Sequence, residues 1–263
     1  MRLARFALAC LLSTSACATM SKVNRVAADV LMPPSEEAKL GRQMAIALQK
    51  QSKVLDKPEV VAYVQRAGNR VAARADNPDR WRFTFTVIDD PKTVNAFAIP
   101  GGHIYVYSGL LKVMRDESQL AGVLAHEIAH VTSRHIAKRM VAAYGLQTLS
   151  ALALGKDPGE VSKIVAALLT QGTLLKNSRD DEREADSIGV VIASRAGYSP
   201  LGLVDFLKLL KQMEGRTPEL LSFLSDHPAT SERIATLQAE IRQKRLTGSD
   251  RNAEAFEAVR CKL

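Results

Sequence analysis

The chain has 263 residues, 46% of them hydrophobic and 5% aromatic, which is enough to bury one sizeable core. Its formal net charge is +8, but 36 basic and 28 acidic side chains are interspersed along it, and without a basic block nucleic acid is excluded as a partner. Of the 3 cysteines, Cys10 and Cys17 lie in the opening segment and only Cys261 in the body, so no disulfide framework supports the fold.

The opening MRLARFALACLLSTSAC pairs Arg2 and Arg5 with a short apolar run from Phe6 to Leu12 and small residues leading to Cys17. That is the layout of a secretory signal, and the run is too short to span a bilayer. Thr14, Ser15 and Ala16 form a lipoprotein box before Cys17, so a signal over residues 1–17, cut before a lipidated Cys17, is expected. Cleavage after Ala18 at an A-x-A site is the alternative. Residues 18–34 then read as a tether, 35–245 as one domain and 246–263 as a weakly ordered tail.

Inside the domain, Ser35, Glu36 and Glu37 after two prolines start a helix running to about Lys50. A second begins near Pro58, with Val60, Val64, Ala67 and Val71 on one face. The period then changes to two, since Trp81, Phe83, Phe85 and Val87 alternate with Arg82, Thr84 and Thr86. VNAFAIP and HIYVYSG add two further strands around Pro100, Gly101 and Gly102, and the short connections favour antiparallel pairing.

Asp116 with Gln119 caps a central helix expected from Glu117 to about Arg139. Two apolar stretches follow, Met140 to Leu154 and Val161 to Leu175, each short of a membrane span. They read as a helical hairpin packed on the body, with a membrane-dipping pair and a movable cover as alternatives. NSRDDEREADSIGVVIASRAG is a helix stopped by Gly197; another spans Pro200 to Met213, and a loop through DHPAT leads to a last helix over Thr230 to Arg245.

The central helix carries His126, Glu127 and His130 in an HExxH spacing. At about 100° per residue, positions four apart lie about 40° apart and one turn along, so both imidazoles can face one cleft. Neutral histidines bind Zn2+, and the adjacent carboxylate is placed to take a proton from a metal-bound water. A catalytic zinc needs a third protein ligand. Downstream, Glu182 and Asp186 share a helix face by the same spacing, whereas Glu184 points about 160° away from Asp186. Glu182 can therefore ligate, with Asp186 bonding a ligand imidazole or serving proton transfer.

NAFAIPGGHIYVYSGLL, LAHEIAHV, SRDDEREAD and DHPAT with Arg233 and Ile234, in this order, resemble the M48 family of zinc metallopeptidases, and among them the exported bacterial members. The resemblance covers most of residues 35 to 240. It implies a mostly helical α+β, zincin-like metallopeptidase domain with a small antiparallel sheet beside the active-site helix. It implies one Zn2+ per chain, held by His126, His130 and Glu182, with Glu127 as catalytic base and Asp186 as proton donor or ligand orienter. Asn95, Ala96 and Phe97 would form the strand edge along which an extended substrate lies.

Among the other histidines, His135 would face away from the metal, His103 reads as a structural or cleft-wall residue, and His227 is either a loop anchor or a fourth ligand that plugs the water position. Arg179 and Asn95 are the candidate oxyanion donors. The expected function is endoproteolysis of unfolded or misassembled envelope proteins at the periplasmic side, the enzyme held to the outer membrane by lipid. The rival is a zinc-bearing lipoprotein that acts as chaperone or assembly adaptor without cutting.

Overall fold

The computed structural model describes residues 32–171, 176–215, 221–228 and 230–263. The expected signal, Cys17 and most of the tether lie outside the described residues. Helices α1 (Pro34–Gln51) and α2 (Pro58–Ala72) each begin with a proline in the first turn, where its missing N–H is not needed. Strands β1 (Thr84–Ile88), β2 (Ala96–Ile99) and β3 (His103–Tyr107) follow in the sheet order β1-β3-β2.

The sheet is mixed. β2 pairs with β3 antiparallel, through a turn in which Gly101 and Gly102 take φ of 85° and 94°. β1 pairs with β3 in parallel, which corrects the expected all-antiparallel sheet. β3 is apolar on both faces and takes the centre, whereas β1, with Thr84 exposed, is left at an edge.

Alternation along the strands feeds two separate apolar clusters. Phe85, Val87, Ala98, Ile104 and Val106 join the larger cluster with α2 and the helices that follow the sheet. Phe97, Ile99, Tyr105 and Tyr107 join a second cluster with Leu40, Met44 and Leu48 of α1.

A short α3 (Ser108–Val113) leads to the central helix α4 (Glu117–Thr132), capped by Asp116, whose Oδ1 accepts from Gln119 N at 3.0 Å. Here the expected span to Arg139 fails. Arg134 adopts φ 59° and ψ 32°, which ends α4 and starts α5 (His135–Tyr144) in a new direction. Helices α6 (Leu146–Ala153) and α7 (Pro158–Gln171) pack on α1 through Leu149, Leu152, Val161 and Val165, so the apolar stretches lie against the body as far as they are described; residues 172–175 lie outside the described residues. No described helix is long and apolar enough to cross a membrane.

Helix α8 (Arg179–Arg195) starts with a capping box between Ser178 and Asp181, and α9 (Leu201–Met213) completes the wall around α4. Two glycines permit these contacts. A Cβ at Gly122 would come within 2.6 Å of the Leu203 backbone N, and one at Gly189 within 3.1 Å of the His126 N. Helices α10 (Leu221–Asp226) and α11 (Ser231–Gln243) follow.

The expected loose tail is a helix instead. In α12 (Ala253–Arg260) Phe256 is buried, while Asn252 before it bonds Glu117 and Arg251 pairs with Asp116 at 3.0 Å. The segment therefore braces the start of α4.

Candidate metal centre

α4 directs His126, Glu127 and His130 inward, and all three are buried. The facing nitrogens of the two histidines, both Nε2, are 3.0 Å apart. From α8, Glu182 brings Oε1 to 3.3 Å from His130 Nε2 and Oε2 to 3.5 Å from His126 Nε2. His227, just beyond α10, supplies Nδ1 at 3.3 Å from His126 Nε2 and 3.0 Å from Glu182 Oε1. Its position is held by its backbone N–H, which donates to Phe223 O at 2.7 Å.

These four side chains present one donor atom each within 4.8 Å of one another. Zinc bonds of about 2.1 Å in a tetrahedron would set neighbouring ligand atoms about 3.4 Å apart, which matches the observed spacings. Four buried groups converge on one point, and a cation there would satisfy the lone pairs they aim at it. In the metal-free site a proton takes the place of that cation. Burial opposes a charge on His126, but Glu182 and Asp186 outweigh it and raise its pKa to about 10. At His130 burial dominates and holds the pKa well below the usual imidazole value.

Behind the donors, Asp186 Oδ1 lies 3.0 Å from His126 Nδ1. Arg233 of α11 grips the same carboxylate with two bonds of 2.7 Å and places Nη1 2.8 Å from Glu182 Oε2. Burial pushes the Asp186 pKa up, but the bonds from Arg233 and His126 more than offset it and leave the pKa below its ordinary value. Glu127 has Oε1 3.6 Å from His227 Nε2, and burial raises its pKa against the lowering influence of His227 and His126.

Other expected residues fall as follows. Ala96 and Phe97 lie on β2, an edge strand next to α4. Phe97, Glu127, His130 and His227 line a space of about 10 Å³, room for roughly one water. Asn95 does not offer its amide to this space. Its Nδ2 donates to Asp226 Oδ2 at 3.0 Å, tying the His227 segment to β2. Arg179 lines a different cavity, of about 280 Å³, that opens on Glu182. His103 starts β3 and pairs with Thr84 Oγ1 at 2.8 Å, apart from the donors.

His135 is not among the four donors, but it does not turn away from His130: it lies behind that ring, with the two Nδ1 atoms 2.8 Å apart. Sequence periodicity assumed an unbroken helix and so pointed it away. Arg233 and Asn177 also went unassigned. Asn177 Nδ2 lies 3.3 Å from His227 Nδ1, and no local pattern marks it; Arg233 stood in the block after DHPAT that carries the family resemblance, but with no role attached.

The profile of Peptidase family M48 matches residues 58–241. The chain is 35% identical over 179 residues to the mitochondrial metalloendopeptidase OMA1 of Schizosaccharomyces pombe, covering 67% of this chain and 51% of the relative. It is 30% identical over 222 residues to the beta-barrel assembly-enhancing protease of Escherichia coli K12, covering 80% of this chain and 45% of that one. The metalloprotease LoiP of Escherichia coli K12 is 38% identical over 148 residues, 54% of this chain and 56% of the relative. The chain thus spans about half the length of these relatives.

Proposed function

The chain belongs to peptidase family M48, and from that premise we propose that it is a zinc-dependent endopeptidase of the bacterial cell envelope that cleaves extended or misfolded polypeptides. Zinc is the cofactor of this family, and the donor set of His126, His130, Glu182 and His227 fits it. The observation that carries the proposal is a buried carboxylate, Glu127, beside a buried donor cluster of zinc dimensions. A binding protein has no use for that base.

When bound, zinc supplies Lewis acidity and a water that ionises near neutral pH. His126, His130 and Glu182 hold it, and Asp186, fixed by Arg233, orients His126. Glu127 takes a proton from the attacking water and passes it to the leaving amine; its buried setting makes it a stronger base than an exposed carboxylate. The substrate lies along the free edge of β2, adding main-chain hydrogen bonds beside Ala96 and Phe97. His227 would complete the donor set in the resting protein and would have to withdraw before substrate enters. The proposal extends to anchoring through a lipidated Cys17 at the periplasmic face of the outer membrane and to misassembled envelope proteins as substrates; similarity to the beta-barrel assembly-enhancing protease supports this setting.

Digestion of casein and of an unfolded outer-membrane protein separates this from the chaperone alternative. Glu127→Gln should lower cleavage by about 10²-fold or more while zinc stays bound. Equal fragment patterns from variant and wild type would sink the peptidase proposal. His227→Ala should raise resting cleavage several-fold, and unchanged cleavage with unchanged zinc coordination number removes the plug.

A further inference from the structure

On an unbroken helix His135 would lie about 140° around the axis from His130. Arg134 prevents this by taking a left-handed conformation that side chains other than glycine's rarely adopt. Buried bonds hold it there. Arg134 Nε donates to Glu37 Oε2 at 2.7 Å, and its Nη2 donates to the Met32 carbonyl. The break swings the buried His135 ring back until its Nδ1 is 2.8 Å from Nδ1 of His130. On its other side, His135 Nε2 faces two carboxylates of α8, Glu184 Oε2 at 3.3 Å and Asp181 Oδ1 at 3.4 Å. Ser133 Oγ donates to the second oxygen of Glu184 at 3.1 Å and fixes its rotamer.

These contacts determine where the protons sit. Ionised carboxylates only accept, so the proton of neutral His135 belongs on Nε2, between Glu184 and Asp181. Nδ1 of His135 is then an acceptor, and the bond to His130 needs a proton from His130 Nδ1. That leaves the lone pair of His130 on Nε2, the atom facing His126 and Glu182.

We propose that His135, backed by Glu184, is a positioning residue that locks His130 in the tautomer presenting Nε2 to the metal. The inference rests on the metal-centre assignment above. It gives the DEREAD segment two tasks, with Glu182 toward the metal and Glu184, two residues on, toward the histidine behind a ligand.

Zinc affinity, measured by competition with a chromophoric chelator, and imidazole ¹H–¹⁵N correlation spectra of the zinc-free protein test this on the full chain. His130→Ala should abolish tight binding. His135→Ala should weaken zinc by about 10–100-fold and let both His130 tautomers appear, whereas wild type shows Nδ1–H alone. His135→Gln, whose amide oxygen can accept from His130, should recover part of the affinity, a rescue that a purely packing role does not produce. Wild-type affinity and an unchanged His130 tautomer in His135→Ala overturn the proposal. Should that variant not fold, Glu184→Ala replaces it, and unchanged affinity there overturns the proposal equally. If His130→Ala binds zinc as wild type does, the metal-centre assignment falls and this inference with it.

Discussion

The inner face of the sheet, with Phe85, Val87 and Val106, packs on helices that bring the metal donors with them; the outer face, with Phe97, Ile99 and Tyr105, packs on helices that bring mainly aliphatic side chains, with the buried Glu37–Arg134 pair and His135 at the start of α5. On the inner side α4 and α8 approach so closely that Gly189 has room for no freely placed Cβ, Asp186 of α8 reaches His126 of α4, and Arg233 of α11 pairs with both Glu182 and Asp186. On the outer side α1 and α5 to α7 meet through Leu40, Met44, Met140 and Val165. Directional contacts hold metal donors to tenths of an ångström, while non-directional apolar contacts suffice for a cover.

The inner layer should be the more fragile to loss of a single group. Arg233→Met leaves Asp186 buried without its main partner and frees His126 to rotate, so a loss of about 3–5 kcal/mol and a large drop in zinc affinity are expected. Urea unfolding with and without chelator measures both. The pH dependence has a definite sign. The Asp186 pKa is depressed in the fold, so its stabilising contribution is present above the ordinary value of 3.8 and lost as pH falls from there through the folded value. Wild type should show that loss and Arg233→Met should not. If the variant keeps the full acid transition, another group carries it.

The outer layer should lose stability without losing chemistry. Met140 is fully buried between α5 and its neighbours, and Met140→Ala should cost about 2–4 kcal/mol while zinc affinity stays within about twofold. A parallel fall in zinc affinity would mean that the cover shapes the centre and that the two layers are not separable.

What the sequence made legible follows the same division between local and distant causes. HExxH spacing, the capping signals of Asp116 and Ser178 and the shared face of Glu182 and Asp186 are set within one or two helical turns, and periodicity exposes them. The break at Arg134 depends on Glu37, which lies 97 residues earlier, and no glycine or proline announces it. The His135 contact was therefore invisible, although the residue itself sat five positions from His130. Parallel pairing of β1 depends on which strand takes the centre, and the packing of α12 turns on Phe256 and on bonds to Glu117 from far along the chain. In each case a distant partner overrode a correct local pattern.

The smallest expected effect addresses what the cover is for. Its helices turn their large apolar side chains inward, and at the α6–α7 turn Leu154 stands out at 61% exposed. A packed cover gains almost nothing from that side chain, so Leu154→Lys should change stability by less than about 0.5 kcal/mol and leave cleavage intact. A surface that dips into lipid would behave differently, because an apolar tip contributes to insertion and a lysine there opposes it. Sedimentation of the unlipidated protein with anionic vesicles discriminates between the two. Equal binding by wild type and variant keeps α6 and α7 as packing elements of the outer layer. A clear loss of vesicle binding in the variant would make the same helices a membrane contact, and the outer layer would then place the enzyme on the bilayer as well as cover its centre.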